Sequence, residues 1–376
     1  MSLINYLTTI RFANGAIKEV AGDVASLNVQ RPLIVTDKGV AAVGLLDRLV
    51  AQLGHLEYSV FDEVETNPTE EGALRALAVY RSGNCDGVIG LGGGSPIDLA
   101  KAVALLATHP EPLSQYALID GGMGKITDAM APVIAIPTTA GTGSEVGRAS
   151  LMNLSDGRKV GIVGAQMIPK RAICDPELTL GMPPRLTAAT GMDALSHCIE
   201  TFLSPRFNPP ADAIALDGAG RIILNLERAV KDGQDLAARE ELMMGALMGG
   251  MCFQKGLGAV HGLSHALGSL KEPSLHHGTL NAVLLPPVLR YNAEHAGDKY
   301  ERLALAMGLA PDADLAAFIE ELNARIGMPA DLSSMGVSAG VIEEIAAKSE
   351  RDHSTATNPR KVTAQDYASI LKEMIR

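Results

Sequence analysis

The chain has 376 residues, enough for two domains or one large one. It is 47% hydrophobic and 20% charged, as soluble globular proteins are, with a formal net charge of −11 and a pI near 5.3. That acidity argues against a nucleic-acid partner and against binding to an anionic membrane surface, and no apolar run reaches the roughly 18 residues that span a bilayer.

The four cysteines, Cys85, Cys174, Cys198 and Cys252, are far apart and form no C-x-x-C pair. This excludes a zinc ribbon or a thioredoxin-type motif and predicts reduced thiols. Residues 1–11 lack a basic segment followed by an apolar one, so no secretory leader is expected and the cytoplasm is the predicted location.

The first half alternates β-type runs with helical patterns. Thr8 to Phe12 reads as an edge strand ending at Asn14-Gly15, and Pro32 to Thr36 as a strand followed by Asp37. A helix is predicted over Val40 to Leu53, stopping at Gly54, and a strand over Leu56 to Phe61. Asn67-Pro68-Thr69-Glu70-Glu71 starts a helix that runs to about Arg81, with proline and acids suited to the first turn. Gly87 to Leu91 is a strand, Pro96 to about Ala107 a helix, and Val133 to Ile136 a further strand. Ser150 to Leu154, Val160 to Val163 and Arg171 to Cys174 read as three more. Strands alternating with helices predict a Rossmann-like, mainly parallel sheet, whose ligands bind at the carboxyl ends of the strands.

Past Asp175-Pro176 the texture changes to long helix-period segments. From Pro183 onward examples are Asp212 to Val230, Leu236 to Lys255, Val260 to Leu270, Asn281 to Asn292, Leu315 to Ile326 and Ala364 to Ile375, with one short helix between Asp298 and Asp314. The predicted organisation is an α/β dinucleotide-binding domain over 1–180 and an all-helical domain over 181–376.

Gly90-Leu91-Gly92-Gly93-Gly94-Ser95-Pro96-Ile97-Asp98 follows a strand and opens a helix. Glycines let backbone N–H groups approach a phosphate, and the helix N-terminus adds partial positive charge. Ser95 is the predicted N-cap, with Pro96 at the first helical position and Asp98 at the third. A plain strand-to-helix turn is the competing reading. Asp37, at an earlier strand end, suits an adenosine ribose and repels a 2′-phosphate, which favours NAD over NADP; alternatively it only caps the next helix. Pro137-Thr138-Thr139-Ala140-Gly141-Thr142-Gly143-Ser144-Glu145-Val146 packs hydroxyls and glycines after a strand, as a second wall of the same crevice. Glu145 is read as structural, bonding loop backbone.

Five of the nine histidines lie between Asp193 and His277. Asp193 and His197 stand at i and i+4, which places them on one helix face about 6 Å apart. His261, His265, His276 and His277 follow in apolar surroundings (Met192, Leu195, Ile199, Leu263, Leu267, Leu280). Burying so much imidazole is costly unless something pairs it. The prediction is a divalent-metal site of iron or zinc type, built from Asp193, His197 and two of the later histidines. Scattered polar residues on amphipathic helices are the bland alternative.

Taken together, Gly-Gly-Gly-Ser-Pro-Ile-Asp (92–98), the 137–146 loop, Ala-Thr-Gly-Met-Asp-Ala-Leu-Ser-His (189–197), His-Gly-Leu-Ser-His-Ala-Leu-Gly (261–268), His-His-Gly (276–278) and Asn-Pro-Arg (358–360) resemble the iron-containing alcohol dehydrogenase family over essentially the whole chain. The resemblance implies a metal-dependent, NAD-linked alcohol dehydrogenase or aldehyde reductase with Fe2+, or else Zn2+, held by Asp193, His197, His261 and His277. It implies cofactor contacts from Asp37, Asn67, Gly93, Gly94, Ser95, Thr138, Thr139, Thr142, Leu151 and Lys159. His265, one helical turn beyond His261, is then a proton relay or a supporting hydrogen-bond partner. Arg148, His353 and Ser354 fall in pocket-bordering stretches, and Arg148 suits an anionic substrate.

The expected chemistry is hydride transfer between nicotinamide C4 and a short alcohol or aldehyde whose oxygen is polarised by the metal. Lactaldehyde, propanediol, 4-hydroxybutyrate and simple alcohols all suit it. The resemblance also implies a homodimer or larger homo-oligomer, and the strand at Thr8 to Phe12 is placed to pair across an interface. Competing readings are a zinc-dependent glycerol dehydrogenase-like enzyme or dehydroquinate synthase, a metal-dependent hydrolase, and a non-catalytic nucleotide-binding scaffold.

Overall fold

The computed structural model describes residues 8–375; residues 1–7, most of the stretch read for a leader, lie outside it, as does residue 376. The described chain divides into two compact units, one formed by residues 8–139 and 143–181, the other by 140–142 and 182–375.

The first unit is α/β. Its elements are β1 (Thr9–Phe12), α1 (Val20–Ser26), β2 (Pro32–Val35), α2 (Lys38–Ala42), α3 (Leu45–Leu53), β3 (Ser59–Phe61), α4 (Glu70–Ser82), β4 (Gly87–Gly92), α5 (Gly94–Leu106), β5 (Val133–Pro137), β6 (Ala149–Asn153), β7 (Lys159–Val163) and β8 (Arg171–Cys174). Six strands form one parallel sheet in the order β1-β8-β5-β4-β2-β3. The central strands β2, β4 and β5 are buried along their whole length, which is why they read as continuous apolar runs rather than alternating ones. Successive residues face opposite sides of the sheet. Leu33 and Val35 join Val88, Leu99 and Val103 in one core. Ile34 joins Ile89, Ile134, Ile136, Val20 and Leu49 in the other.

The chain leaves β2 toward β3 on one side and returns to β4 on the other, so strand order reverses between β2 and β4. Such a switch point opens a crevice at the carboxyl ends of the strands. Asp37 after β2, Gly93 after β4 and Thr138 after β5 all stand at that edge.

Several local predictions need correction. The single helix over Val40 to Leu53 is two, because Gly44 takes a left-handed φ of +80° between α2 and α3. The short α1 was not predicted. The strands near 150 and 160 do not join the sheet; β6 and β7 form a separate antiparallel pair.

The second unit is helical: α6 (Pro184–Leu203), α7 (Pro209–Lys231), α8 (Leu236–Cys252), α9 (Ala259–Leu267), α10 (His277–Asn292), α11 (Lys299–Ala306), α12 (Leu315–Arg325), α13 (Ile342–Arg351) and α14 (Ala364–Met374). α6 is buried on every side from Thr187 onward, as a helix at the centre of a bundle must be. α10 begins four residues before the predicted Asn281, and α13 was not predicted at all. No helix of the described residues is long and apolar enough to cross a membrane.

Candidate functional site

Asp193, His197 and Glu200 recur at i, i+4 and i+7 on α6 and so share one face, all of them buried. The Glu200 carboxylate accepts from Val260 N at 2.7 Å and from His261 Nδ1 at 2.6 Å. The first donors of a helix have no intrahelical acceptor. Glu200 satisfies two such donors of α9, Val260 N and His261 N, and Asn358 Oδ1 satisfies Ala259 N at 3.1 Å. One carboxylate thus fixes both the start of α9 and the ring of His261. With Nδ1 donating to Glu200, the free lone pair of His261 is on Nε2, the arrangement seen behind metal-binding imidazoles. Burial pulls the His261 pKa down, but the bond and charge of Glu200 outweigh it and the net shift is upward. Burial brings His197 down to about 4, so its ring is neutral near pH 7.

α10 brings the fourth donor. His276 is its N-cap and accepts from Thr279 N at 3.4 Å, so its ring serves the backbone. His277 is the first helical residue. A Cβ on Gly278 would lie 2.3 Å from the Ala189 carbonyl of α6, so only glycine lets α10 press this close and carry His277 to Asp193.

Three imidazole nitrogens gather about one oxygen. The Nε2 atoms of His197, His261 and His277 lie 3.7, 3.8 and 3.6 Å from Asp193 Oδ1. These separations are too long for hydrogen bonds. They are close to the edge of a tetrahedron with bonds near 2.1 Å, about 3.4 Å. Asn281, one turn beyond His277, points its amide at the same space, with Nδ2 2.7 Å from Asp193 Oδ1 and 3.1 Å from His277 Nε2. Its Oδ1 is buried with no hydrogen-bond partner among the described residues. Three imidazole Nε2 atoms and a carboxylate oxygen at this mutual spacing, with the Asn281 amide nitrogen beside them, are the donor set that fits a divalent cation of iron or zinc type.

His265 stands beside this group, stacked on His277 with ring centroids 5.5 Å apart. Its Nδ1 donates to Asp352 Oδ2 at 3.0 Å, while Ser354 N donates to Asp352 Oδ1 at 2.8 Å. His353 stacks on the other side of His265 at 5.7 Å.

In the α/β unit the predicted cofactor residues fall at the carboxyl edge of the sheet and its neighbouring hairpin. α5 starts at Gly94 with Gly93 as N-cap and no side-chain cap, correcting the prediction for Ser95. Ser95 Oγ donates instead to the Thr66 carbonyl, and Pro96 is the third helical residue. A Cβ on Gly93 would lie 3.4 Å from the Thr139 side chain, so the glycine keeps the space between the two loops open. An uncapped helix start beside a side-chain-free turn fits a phosphate. Asp37 caps α2, accepting from Val40 N at 2.9 Å through Oδ1. Thr138 N donates to the Gly92 carbonyl at 3.0 Å. Lys159 Nζ donates to Asn67 Oδ1 at 3.2 Å, uniting two candidates far apart in sequence. Leu151 N donates to Asp98 Oδ2 at 3.0 Å. Thr142 groups with the helical unit.

Asp98 is not a cap. It lies buried under the loop after β5, accepting from Ser144 Oγ at 2.5 Å. Lys101, fully buried one turn on, donates to Ser144 Oγ, the Gly147 carbonyl and the Ala149 carbonyl at 2.8–3.0 Å. Burial lowers its pKa to about 8 and raises buried Glu145 to about 7. Sequence reading missed Lys101, Glu200, Asn281 and Asp352. For two of them a signal existed: Glu200 continues the Asp193–His197 face at i+7, and Asn281 repeats His277 at i+4. Asp352 is distant in sequence and carried none.

The model of the iron-containing alcohol dehydrogenase family matches residues 8–176, and that of its C-terminal part matches 187–375. A 4-hydroxybutyrate dehydrogenase from Cupriavidus necator is 50% identical, covering 99% of this chain and all of that one. A 1,3-propanediol dehydrogenase from Klebsiella pneumoniae is 37% identical, with 96% of each chain covered. The crystal structure of a 1,3-propanediol oxidoreductase, 37% identical, superposes with a TM-score of 0.94 over the full length of both chains. These relatives do not favour the glycerol dehydrogenase, dehydroquinate synthase, hydrolase or scaffold readings. The chain belongs to the iron-containing alcohol dehydrogenase family and is an alcohol dehydrogenase of that class.

Proposed function

We propose that this enzyme interconverts a short ω-hydroxy carboxylate of the 4-hydroxybutyrate type and its aldehyde, using NAD(H) and Fe2+. The carrying observation is the convergence of His197, His261 and His277 Nε2 on Asp193 Oδ1 at 3.6–3.8 Å, with Glu200 fixing His261 from behind. Identity of 50% to a 4-hydroxybutyrate dehydrogenase over nearly the whole chain supports the substrate class.

On this reading Asp193, His197, His261 and His277 hold the cation. A divalent cation held there would supply the Lewis acidity that eases loss of the alcohol proton, and a bound nicotinamide dinucleotide would supply the hydride acceptor. His265 moves the proton: Nδ1 is committed to Asp352, so Nε2 is the atom that takes it. Gly93, Gly94 and Ser95 at the start of α5, with Thr138, Thr139 and Thr142, hold the pyrophosphate and nicotinamide side of the cofactor. Asp37 binds the adenosine ribose and disfavours a 2′-phosphate. Asn67, Leu151 and Lys159 border the same cofactor. Arg148, just before β6, supplies the positive charge for the substrate carboxylate. The enzyme acts in the cytoplasm as a homodimer or larger homo-oligomer.

The test is an NADH absorbance assay on the iron-loaded enzyme with 4-hydroxybutyrate, 1,3-propanediol, 1,2-propanediol and ethanol. The hydroxy acid is expected to give the highest kcat/KM, and Arg148→Met to raise KM for it but not for the diols. Equal or better use of 1,3-propanediol by the wild type contradicts the carboxylate reading.

A further inference from the structure

A second group of metal-competent donors lies in the helical unit next to the first. His265, Asp352 and His353 each offer one ligand atom, and the three atoms lie within 4.8 Å of one another. His265 Nδ1 is 3.0 Å from Asp352 Oδ2, and His353 Nδ1 is 3.6 Å from Asp352 Oδ1. The two rings meet different oxygens of the one carboxylate, at separations near the tetrahedral edge of about 3.4 Å expected for zinc. Two features prepare the group. Ser354 N holds the carboxylate in place at 2.8 Å. The two rings stack at 18° with centroids 5.7 Å apart, so both present an edge to the carboxylate side.

The electrostatics agree. Burial alone raises the Asp352 carboxyl, but the two histidines and Ser354 N outweigh it and hold it below the usual carboxylate range. Burial lowers His353, leaving its ring neutral near pH 7 with a lone pair to donate. The side chain of His353 is 43% exposed, so an ion can reach the site from solvent. None of the three residues belongs to the set around Asp193.

We propose that His265, Asp352 and His353 form a second cation site that takes Zn2+ from solution. Zinc there binds His265 Nδ1 in place of its proton, that proton leaves to solvent while Nε2 takes one up so that the ring keeps its one N–H, and solvent completes the coordination. Its occupation withdraws His265 from proton transfer, so excess zinc inhibits an enzyme that keeps its iron; this inhibitory consequence rests on the relay role proposed above.

The experiment adds increasing ZnSO4 to iron-loaded enzyme, removes unbound metal, and counts iron and zinc separately by mass spectrometry alongside the rate. The wild type is expected to keep its iron, gain one zinc per chain and lose activity in step with that zinc. His353→Ala and Asp352→Asn are expected to keep the iron, which reports an intact fold, and to lose the added zinc. His353→Ala is further expected to show no zinc-dependent fall from its own starting rate. Absence of added zinc in the wild type overturns the site, as does exchange of zinc for iron one for one. An equal gain of zinc by His353→Ala also overturns it. Zinc that binds through His353 without inhibition upholds the site and overturns the relay role of His265, so the two failures are told apart.

Discussion

In the α/β unit, Asp98, Lys101 and Ser144 lie buried along α5, and their polar atoms point at one another and at loop carbonyls within 2.5–3.0 Å. In the helical unit, Asp193, His197, His261 and His277 point at a common space, with nitrogens 3.6–3.8 Å from the shared oxygen. Both groups bring ionisable side chains into an apolar interior, which is unfavourable unless each is matched. The first is matched internally and pins the loop after β5 to the helix. The second is matched in part, by Asn281 Nδ2 on Asp193 Oδ1 and by Glu200 on His261 Nδ1, while its three Nε2 atoms face one oxygen at 3.6–3.8 Å. The closed network around Lys101 serves the scaffold, and the spacing around Asp193 is one that a bound cation would fill.

Lys101→Met opens the closed network, leaving Asp98 buried beside an apolar side chain and two carbonyls without their donor. The expected loss is roughly 3–5 kcal/mol of stability, read by urea denaturation. A loss below about 1 kcal/mol would show that the network is not closed in the sense argued.

Glu200→Gln acts on the open group. It keeps the shape of the residue but weakens the hold on His261 Nδ1, so metal affinity is expected to fall on the order of 10–100-fold in a competition with chelator. Unchanged affinity would demote Glu200 to a helix-capping residue.

Glu145 sharpens the contrast through pH. Burial lifts its pKa from 4.5 to about 7. A carboxyl raised by folding binds more protons folded than unfolded, so its stabilising contribution is full below about 4.5 and is lost as pH rises through about 7. Glu145→Gln removes that slope. Above neutrality the variant is expected to be more stable than wild type by roughly 1–3 kcal/mol, while near pH 4 the two converge. Parallel stability curves across this range would refute the raised value.

The smallest effect is at Asp37. Asp37→Gly removes a cap at a cost of only a few tenths of a kcal/mol. On the proposed cofactor role it also removes a carboxylate that would repel a 2′-phosphate, so kcat/KM with NADPH is expected to rise relative to NADH. An unchanged ratio leaves Asp37 as the cap of α2 alone.

Much of this was legible before the fold was known, for identifiable reasons. Continuous apolar runs announce central parallel strands, so β2, β4 and β5 were found within a residue or two. Asp193 and His197 share a face because helix spacing is local. Spacing could not choose among His261, His265, His276 and His277, since the start of α10 depends on Gly278 meeting the Ala189 carbonyl of a distant helix. The Val40 to Leu53 pattern read as one helix because a left-handed glycine interrupts the backbone without interrupting the apolar period. Ser95 looked like a cap, yet its hydroxyl is taken by the Thr66 carbonyl, a partner that only tertiary structure supplies. Asp352 reaches His265 across 87 positions, beyond any local pattern.

On the proposed reading the histidine–aspartate group around Asp193 holds a metal. Metal content and NADH fluorescence titration of His261→Ala test it most directly. This variant is expected to lose bound iron and all alcohol-dependent NADH formation while still binding NADH. A His261→Ala enzyme that turns over alcohol without metal, or that retains a full equivalent of iron, would contradict it.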